Sequence, residues 1–90
     1  MSKRYAWSDE KNETLQRERN ISFEAVVNSM RSGGLLDIYK HPNNERYPNQ
    51  NLAEVVIQDY IWIVAFVETE EEIFLKTAFP SRKATKKHKE

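Results

Sequence analysis

The 90-residue chain contains no cysteine, which excludes a disulfide framework and a thiolate metal site. It also lacks an apolar run of about 20 residues, the length that a membrane-spanning helix requires. The opening residues Met1-Ser-Lys-Arg-Tyr have no apolar core of the kind found in a secretory signal peptide. These absences predict a cytoplasmic protein that does not enter a membrane and forms one domain over residues 1–90.

The motifs of common catalytic and nucleotide-binding sites are also missing. The sequence has no Ser-His-Asp order, no phosphate-binding glycine loop, no HExxH motif and no zinc pattern. The acidic run at residues 68–72 is best interpreted as a solvated hairpin loop, because carboxylates this close repel one another unless they fold around a cation. We therefore expect neither a metal ion nor a cofactor.

Apolar residues make up 39% of the chain and concentrate between Leu52 and Phe79. Such clustering favours a packed sheet over a disordered chain. Residues 61–67 are apolar on both alternating faces, which predicts a central strand covered on both sides. Turn signals separate the apolar segments and predict four strands, at residues 35–41, 52–58, 61–67 and 72–79.

A first helix is predicted over residues 9–19. Ser8 precedes it as a good N-cap, and the two acidic residues that follow suit the positive end of the helix dipole. Asn20 can end the helix in a left-handed conformation. Leu15 is the only apolar residue in its interior, so the helix should be buried only along a narrow stripe.

A second helix, over residues 23–31, has a complete apolar face. Ser22 precedes it as an N-cap, and Gly33-Gly34 ends it because glycine adopts positive φ without steric cost. The apolar face follows the spacing i, i+3, i+4 and i+7, and its members are Phe23, Val26, Val27 and Met30.

A short third helix is predicted from the cap Ser81 through Lys87, and it must dock or bind something because it is polar on all sides. The fold class is therefore α+β, with two N-terminal helices on one face of a four-stranded, mainly antiparallel sheet and a short C-terminal helix. The expected buried residues are Phe23, Val26, Val27, Met30, Ile61, Trp62, Ile63, Val64, Phe66 and Leu75.

The charges of the chain are divided between two unlike segments. Residues 73–90 carry six Lys or Arg against one acid, whereas residues 1–72 carry eight against thirteen. A cationic end attached to an apolar strand would suit a phosphate-binding site at a sheet edge. The alternative interpretation is a solvated basic tail.

The residues available for chemistry are cations, one imidazole and aromatic side chains. Such a set is sufficient to cleave RNA, because the ribose 2′-hydroxyl supplies the nucleophile and the protein needs only to orient the phosphate, neutralise charge and move protons. The candidate catalytic residues are Arg82, Arg46 and His41, and the candidate RNA-binding residues are Lys76, Lys83, Lys86, Lys87 and Tyr47. Either Tyr47 or Tyr39 could stack on a base.

Structural interpretations of the same residues stay open. His41 precedes a proline and could be only a loop residue, and Arg46 could pair with Glu45 or Glu54. Lys76 could extend along the sheet edge, with its amine in water. Arg82 begins the third helix, where the helix dipole disfavours a cation, and an anion bound there would explain its position.

Three segments in the same order resemble the BrnT family of bacterial type II toxins. They are Trp7-Ser-Asp-Glu-Lys-Asn12, Ile21-Ser-Phe-Glu-Ala25 and the closing Ser81-Arg-Lys-Ala-Thr-Lys86. Glu45-Arg46-Tyr47 resembles the acidic-Arg-aromatic element of the family more loosely. The family has His-Gly where this chain has Arg19-Asn20, so no role for that histidine carries over.

The resemblance implies a RelE-like fold and a metal-independent endoribonuclease that inhibits translation by cleaving mRNA, on or off the ribosome. By position it carries over Arg82, Lys83 and Lys86 from the closing motif and Arg46 from the middle element. It further implies a cognate antitoxin of the ribbon-helix-helix DNA-binding type. The alternatives are a relative that binds RNA or the ribosome without cutting, and one that only sequesters an antitoxin.

Overall fold

In the computed structural model, which describes residues 3–89, the chain folds into three α-helices and one five-stranded sheet. The strands are Arg4–Trp7 (β1), Leu35–Lys40 (β2), Gln50–Ile57 (β3), Tyr60–Glu68 (β4) and Glu72–Pro80 (β5). The helices are Asp9–Arg19 (α1), Phe23–Ser29 (α2) and Arg82–Lys89 (α3), and a π-helical turn at Met30–Gly34 follows α2. The α+β class is confirmed.

The prediction of a four-stranded sheet is wrong by one strand. The sheet order is β1-β5-β4-β3-β2, and the four predicted strands are joined antiparallel. The extra strand, β1, lies parallel to β5, with Arg4 opposite Glu72 and Trp7 opposite Leu75. Tyr5 and Trp7 among polar neighbours predict either a short strand or an anchor in residues 1–7, and four residues are too few for alternation to decide between them. Both descriptions fit, since β1 forms there and Tyr5 and Trp7 pack on the core.

The caps of α1 and α2 are confirmed. The Ser8 hydroxyl accepts a hydrogen bond from the Lys11 amide at 3.2 Å, and Ser22 accepts one from the Ala25 amide at 3.1 Å. Asn20 ends α1 with φ of 56°. These side chains satisfy amides at the helix starts that have no partner within the helix.

The end of the second helix differs from the prediction. α2 stops at Ser29 rather than residue 31, and a wider turn carries the chain to Gly33, which has φ of 94°. The Ser29 hydroxyl donates to the Val56 carbonyl and so ties this turn to β3. Because Gly33 adopts the positive φ at which the helix ends, its predicted role is confirmed.

The sheet is covered on both faces. On the first face, α1 and α2 pack against β3, β4 and β5 through a cluster that includes Phe23, Val26, Val55, Val64 and Leu75. On the second face, Ala84 of α3 packs in a smaller cluster with Leu52, Ile61, Ile63 and Ala65. The prediction that β4 is central and covered on both sides is confirmed.

Two of the ten residues expected in the core are only half-buried. Met30 lies in the π-helical turn, and Trp62 lies at the margin of the first face beside Ile21 and Ile57. The other eight are buried, and the fully enclosed ones include Phe23, Leu75 and Val64. Periodicity therefore identified the core but not its margin.

Candidate functional site

The third helix is attached to the sheet through its buried side. Ser81 caps α3, since its hydroxyl accepts from the Ala84 amide at 3.1 Å. The Thr85 hydroxyl donates to the Ser81 carbonyl at 2.8 Å and accepts from the Ile61 amide of β4 at 2.8 Å. A helix that is polar on its outer side is thus docked by two small buried residues, Ala84 and Thr85.

A cleft of about 480 Å³ lies between α3 and the second face of the sheet. Lys83 and Lys87 stand one turn apart on the same side of α3 and line one wall. The opposite wall includes two exposed aromatic side chains, Tyr39 and Phe79. The full lining is Asp37, Tyr39, Leu52, Glu54, Ile63, Phe79, Ser81, Lys83, Ala84 and Lys87.

The cleft contains one buried carboxylate. Glu54 of β3 is 3% exposed, and it accepts hydrogen bonds from the Tyr39 hydroxyl at 3.0 Å and from Lys87 Nζ at 3.3 Å. His88 Nε2 lies 2.6 Å from Glu54 Oε1. Burial acts to raise the pKa of Glu54, but the bonds from His88, Tyr39 and Lys87 outweigh it and leave this pKa below its usual value.

Tyr39 is the neutral partner of this carboxylate. Burial, the hydrogen bond to Glu54 and the negative charges of Glu54 and Asp37 together raise the pKa of Tyr39 to about 12. At neutral pH the phenol therefore stays protonated, and its O–H donates a hydrogen bond to Glu54. Because its hydroxyl is a donor there, the lone pairs of its oxygen are free to accept another hydrogen bond.

The structure brings together two of the four predicted cations of α3. Lys83 and Lys87 line the cleft, whereas Arg82 and Lys86 are exposed and are not among its lining residues. Helical geometry explains the division. Ala84 and Thr85 face the sheet; Lys83 and Lys87 lie on the flank next to Ala84, which borders the cleft, and residues 82 and 86 lie on the flank next to Thr85.

Three other predicted residues form a cluster in the loop between β2 and β3. The rings of His41 and Tyr47 have centroids 4.5 Å apart, and the Arg46 guanidinium lies 5.6 Å from the Tyr47 centroid. His41 Nδ1 accepts from the Asn43 amide at 3.0 Å, which makes the imidazole part of the loop structure. The alternative pairing of Arg46 with Glu54 is wrong, because Glu54 is buried beneath α3 with other partners.

Lys76 lies apart from both groups. It stands at the irregularity in the pairing of β4 with β5, and its amine lies 5.4 Å from the ring centroid of Phe74. Its side chain is exposed and it is not a lining residue of the cleft. This placement fits the structural interpretation, in which the aliphatic stem of Lys76 covers apolar surface and the amine stays in water.

Sequence reasoning missed Glu54 and His88 as site residues and gave Tyr39 only a stacking role. One signal was available. Glu54 is a charged residue within the apolar segment of β3, and it lies on the same face of the strand as Leu52, two residues earlier. A charged residue within a buried strand is rarely tolerated without a partner. The partners themselves were not predictable, because they come from β2 and α3.

Comparison of this chain with protein-family models, with curated proteins and with solved structures finds no match. Within residues 3–89, no group of three or more His, Cys, Asp or Glu side chains is placed to hold a metal ion. No helix in the same part of the chain is long and apolar enough to cross a membrane.

Proposed function

We propose that the protein is a metal-independent endoribonuclease of the RelE-like type that acts as the toxin of a bacterial toxin-antitoxin system. The observation that carries the proposal is the cleft beside α3, where two lysines face a buried carboxylate and a neutral phenol. The lining holds two lysines and two carboxylates, so Lys83 and Lys87 can each contact an anionic group locally, and the hydrogen-bonding groups are held in place before the substrate arrives.

The cleft suits a single-stranded RNA backbone. The ammonium groups of Lys83 and Lys87 lie one helical turn apart and can contact phosphate oxygens of the same backbone. The exposed ring of Phe79 in the other wall offers a face on which a base can stack, a contact worth about 1–3 kcal/mol. The RNA supplies the nucleophile itself through its 2′-hydroxyl.

The remaining predicted residues extend this surface. Arg82 and Lys86, on the flank of α3 away from the cleft, would then meet flanking phosphates rather than the scissile one. The loop cluster of His41, Arg46 and Tyr47 holds two aromatic rings in contact at an angle of 37°, with the guanidinium over the Tyr47 ring, and aromatic and guanidinium planes of this kind bind unpaired bases. In this proposal these residues serve affinity more than bond cleavage.

The proposed partner is an antitoxin with a ribbon-helix-helix DNA-binding half. Support comes from β2, an edge strand of the sheet whose six residues are all exposed. Leu35, Leu36 and Ile38 are between 36% and 50% exposed, which is unusual for large aliphatic residues on an edge. Such an edge accepts an extended segment of another protein by strand addition, and an acidic segment would also meet the lysines of α3.

The function is tested by incubating the purified protein with single-stranded RNA in EDTA and by inducing it in a bacterial host. We expect cleavage and growth arrest, with arrest relieved by co-expression of the product of the adjacent gene. The double variant Lys83→Ala/Lys87→Ala should abolish both activities and lower the slope of log affinity against log salt by about 1.4, near 0.7 for each lost contact on a single strand.

The matched control is Lys11→Ala/Arg17→Ala, which removes the same charge from exposed positions of α1. Equal loss of binding in both double variants would show non-specific attraction and would contradict the cleft. RNA binding without cleavage by the folded parent would instead support the binding-only alternative.

A further inference from the structure

Three groups that line the cleft form one hydrogen-bonded set. The Tyr39 hydroxyl donates to Glu54 Oε2 at 3.0 Å, and Lys87 Nζ lies 3.3 Å from the same carboxylate. All three residues line the cleft, and Glu54 is almost completely enclosed. A buried carboxylate joined to a phenol and an ammonium is costly unless the arrangement is fully hydrogen-bonded.

We propose that Tyr39 and Glu54 form a proton relay that activates the 2′-hydroxyl of a bound RNA, and that Lys87 protonates the leaving group. The inference rests on the proposed ribonuclease function and names its reacting residues. It also transfers the catalytic role from His41 and Arg82, which the sequence favoured, to residues of β2, β3 and α3.

The 2′-hydroxyl gives its proton to the Tyr39 oxygen while the phenolic proton passes to Glu54 Oε2. The 2′-oxygen then forms a bond to phosphorus, and the bond from phosphorus to the 5′-oxygen breaks. Lys87 donates a proton to that 5′-oxygen, so the products are a 2′,3′-cyclic phosphate and a 5′-hydroxyl. Exchange with water returns the proton from Glu54 to Lys87.

The relay explains why a tyrosine with a raised pKa is useful. A phenol whose pKa is about 12 is not a phenolate at neutral pH, so it cannot act as a base alone. By passing on its own proton as it accepts another, Tyr39 stays neutral and Glu54 becomes the final acceptor. The lowered pKa of Glu54 keeps the carboxylate ionised at neutral pH, so an oxygen lone pair is available for the proton, and the hydrogen bond to Tyr39 gives the path by which the proton arrives.

His88 has a different role in this arrangement. It lies 2.6 Å from Glu54 Oε1, but it lines a separate cavity of about 300 Å³ with Leu36, Val56 and Ile61. We therefore assign His88 as a positioning residue that holds Oε1 of the Glu54 carboxylate without lining the cleft. The titratable and charged groups that face Glu54 or the cleft are Asp37 and Tyr39 of β2 with Lys83, Lys87 and His88 of α3.

The test compares Tyr39→Phe and Glu54→Gln with the parent in single-turnover cleavage of an RNA oligonucleotide. RNA affinity is measured separately on an oligonucleotide with a 2′-deoxy group at the cleavage site. We expect each variant to cleave about 10²–10⁴-fold more slowly, the usual contribution of general acid-base catalysis, while its affinity changes less than threefold. Tyr60→Phe and Glu13→Gln, which remove the same atoms outside the cleft, should cleave like the parent.

The pH profile separates a relay from a structural role. The cleavage rate of the parent should fall as the solution is acidified and Glu54 takes up a proton, and Glu54→Gln should lose this dependence together with its activity. If the parent cleaves and Tyr39→Phe remains within threefold of it, the relay is overturned but the nuclease is not. If the folded parent binds RNA and cleaves none, the proposed nuclease function fails, and the relay with it.

Discussion

The attachment of α3 to the sheet depends on one hydroxyl, and Thr85→Val removes it with almost no change of shape. Thr85 is 8% exposed, and its Oγ1 accepts a hydrogen bond from the buried amide of Ile61. In the variant this amide loses its partner beneath a helix that keeps water out. Lys83 and Lys87 stand on that helix, so the same change should disturb the cleft.

The expected magnitude follows from the two hydrogen bonds of the hydroxyl. Loss of the bond to the Ser81 carbonyl should cost little, because that carbonyl still accepts from the Thr85 amide at 3.0 Å. The unsatisfied Ile61 amide costs about 1–3 kcal/mol. For a domain of this size, each kcal/mol lowers Tm by about 4–8 °C, so we expect a decrease of roughly 5–20 °C.

The measurement is urea unfolding followed by the fluorescence of Trp7 and Trp62, together with RNA affinity at a temperature where the variant is folded. Thr14→Val is the matched control, because the Thr14 hydroxyl also donates to a carbonyl four residues earlier, that of Glu10 at 3.1 Å, but supports no strand amide. We expect RNA affinity to decrease only in Thr85→Val. If the two variants lose the same stability, the attachment of α3 does not depend on this hydroxyl and the explanation is wrong.

Three further predictions concern stability. Val27→Asp should prevent folding, because an unpaired buried carboxylate costs several kcal/mol against a total of about 5–15, and circular dichroism of the variant would show no cooperative melting. Because the pKa of Glu54 is lowered in the folded protein, the ionised carboxylate stabilises the fold above about pH 4.5. This stabilisation is lost as the pH falls further. The urea midpoint of Glu54→Gln should therefore decrease less on acidification than that of the parent. The raised pKa of Tyr39 has the opposite effect on stability. Its contribution is complete below pH 10 and is lost as the pH rises towards about 12. Tyr39→Phe should therefore lose less stability than the parent over that interval.

Local patterns predicted most of the secondary structure because the caps and turns of this chain are made by nearby residues. Ser8, Ser22 and Asn20 act within three or four positions of the residues that they cap, and such contacts are visible in sequence. The sequence predicts the turn between β3 and β4 at residues 59 and 60, one residue later than its position in the structure. Its two turn residues are Gln58 and Asp59, with φ of 53° and 64°, and a Gln in that conformation is not a recognised turn signal.

The candidate site was less predictable because its groups meet only after folding. Sequence favoured cations by their clustering, and clustering cannot tell which side of a helix each one occupies. Docking through Ala84 and Thr85 decides this, because it leaves Lys87 on the flank that borders the cleft and Arg82 on the opposite flank. Glu54 was overlooked for the same reason, since its hydrogen-bond partners stand 15, 33 and 34 residues away along the chain.

The topology also determines when during synthesis the cleft can exist. β1 pairs with β5 across a separation of 68 residues between Arg4 and Glu72, and Glu54 acquires two of its partners only from α3. During synthesis on the ribosome, Tyr39 and Glu54 are incorporated well before the lysines of α3 that complete the lining of the cleft. Contacts between such distant residues form late. Synthesis of the last strand and helix therefore controls assembly, and a partially synthesised chain has no complete cleft.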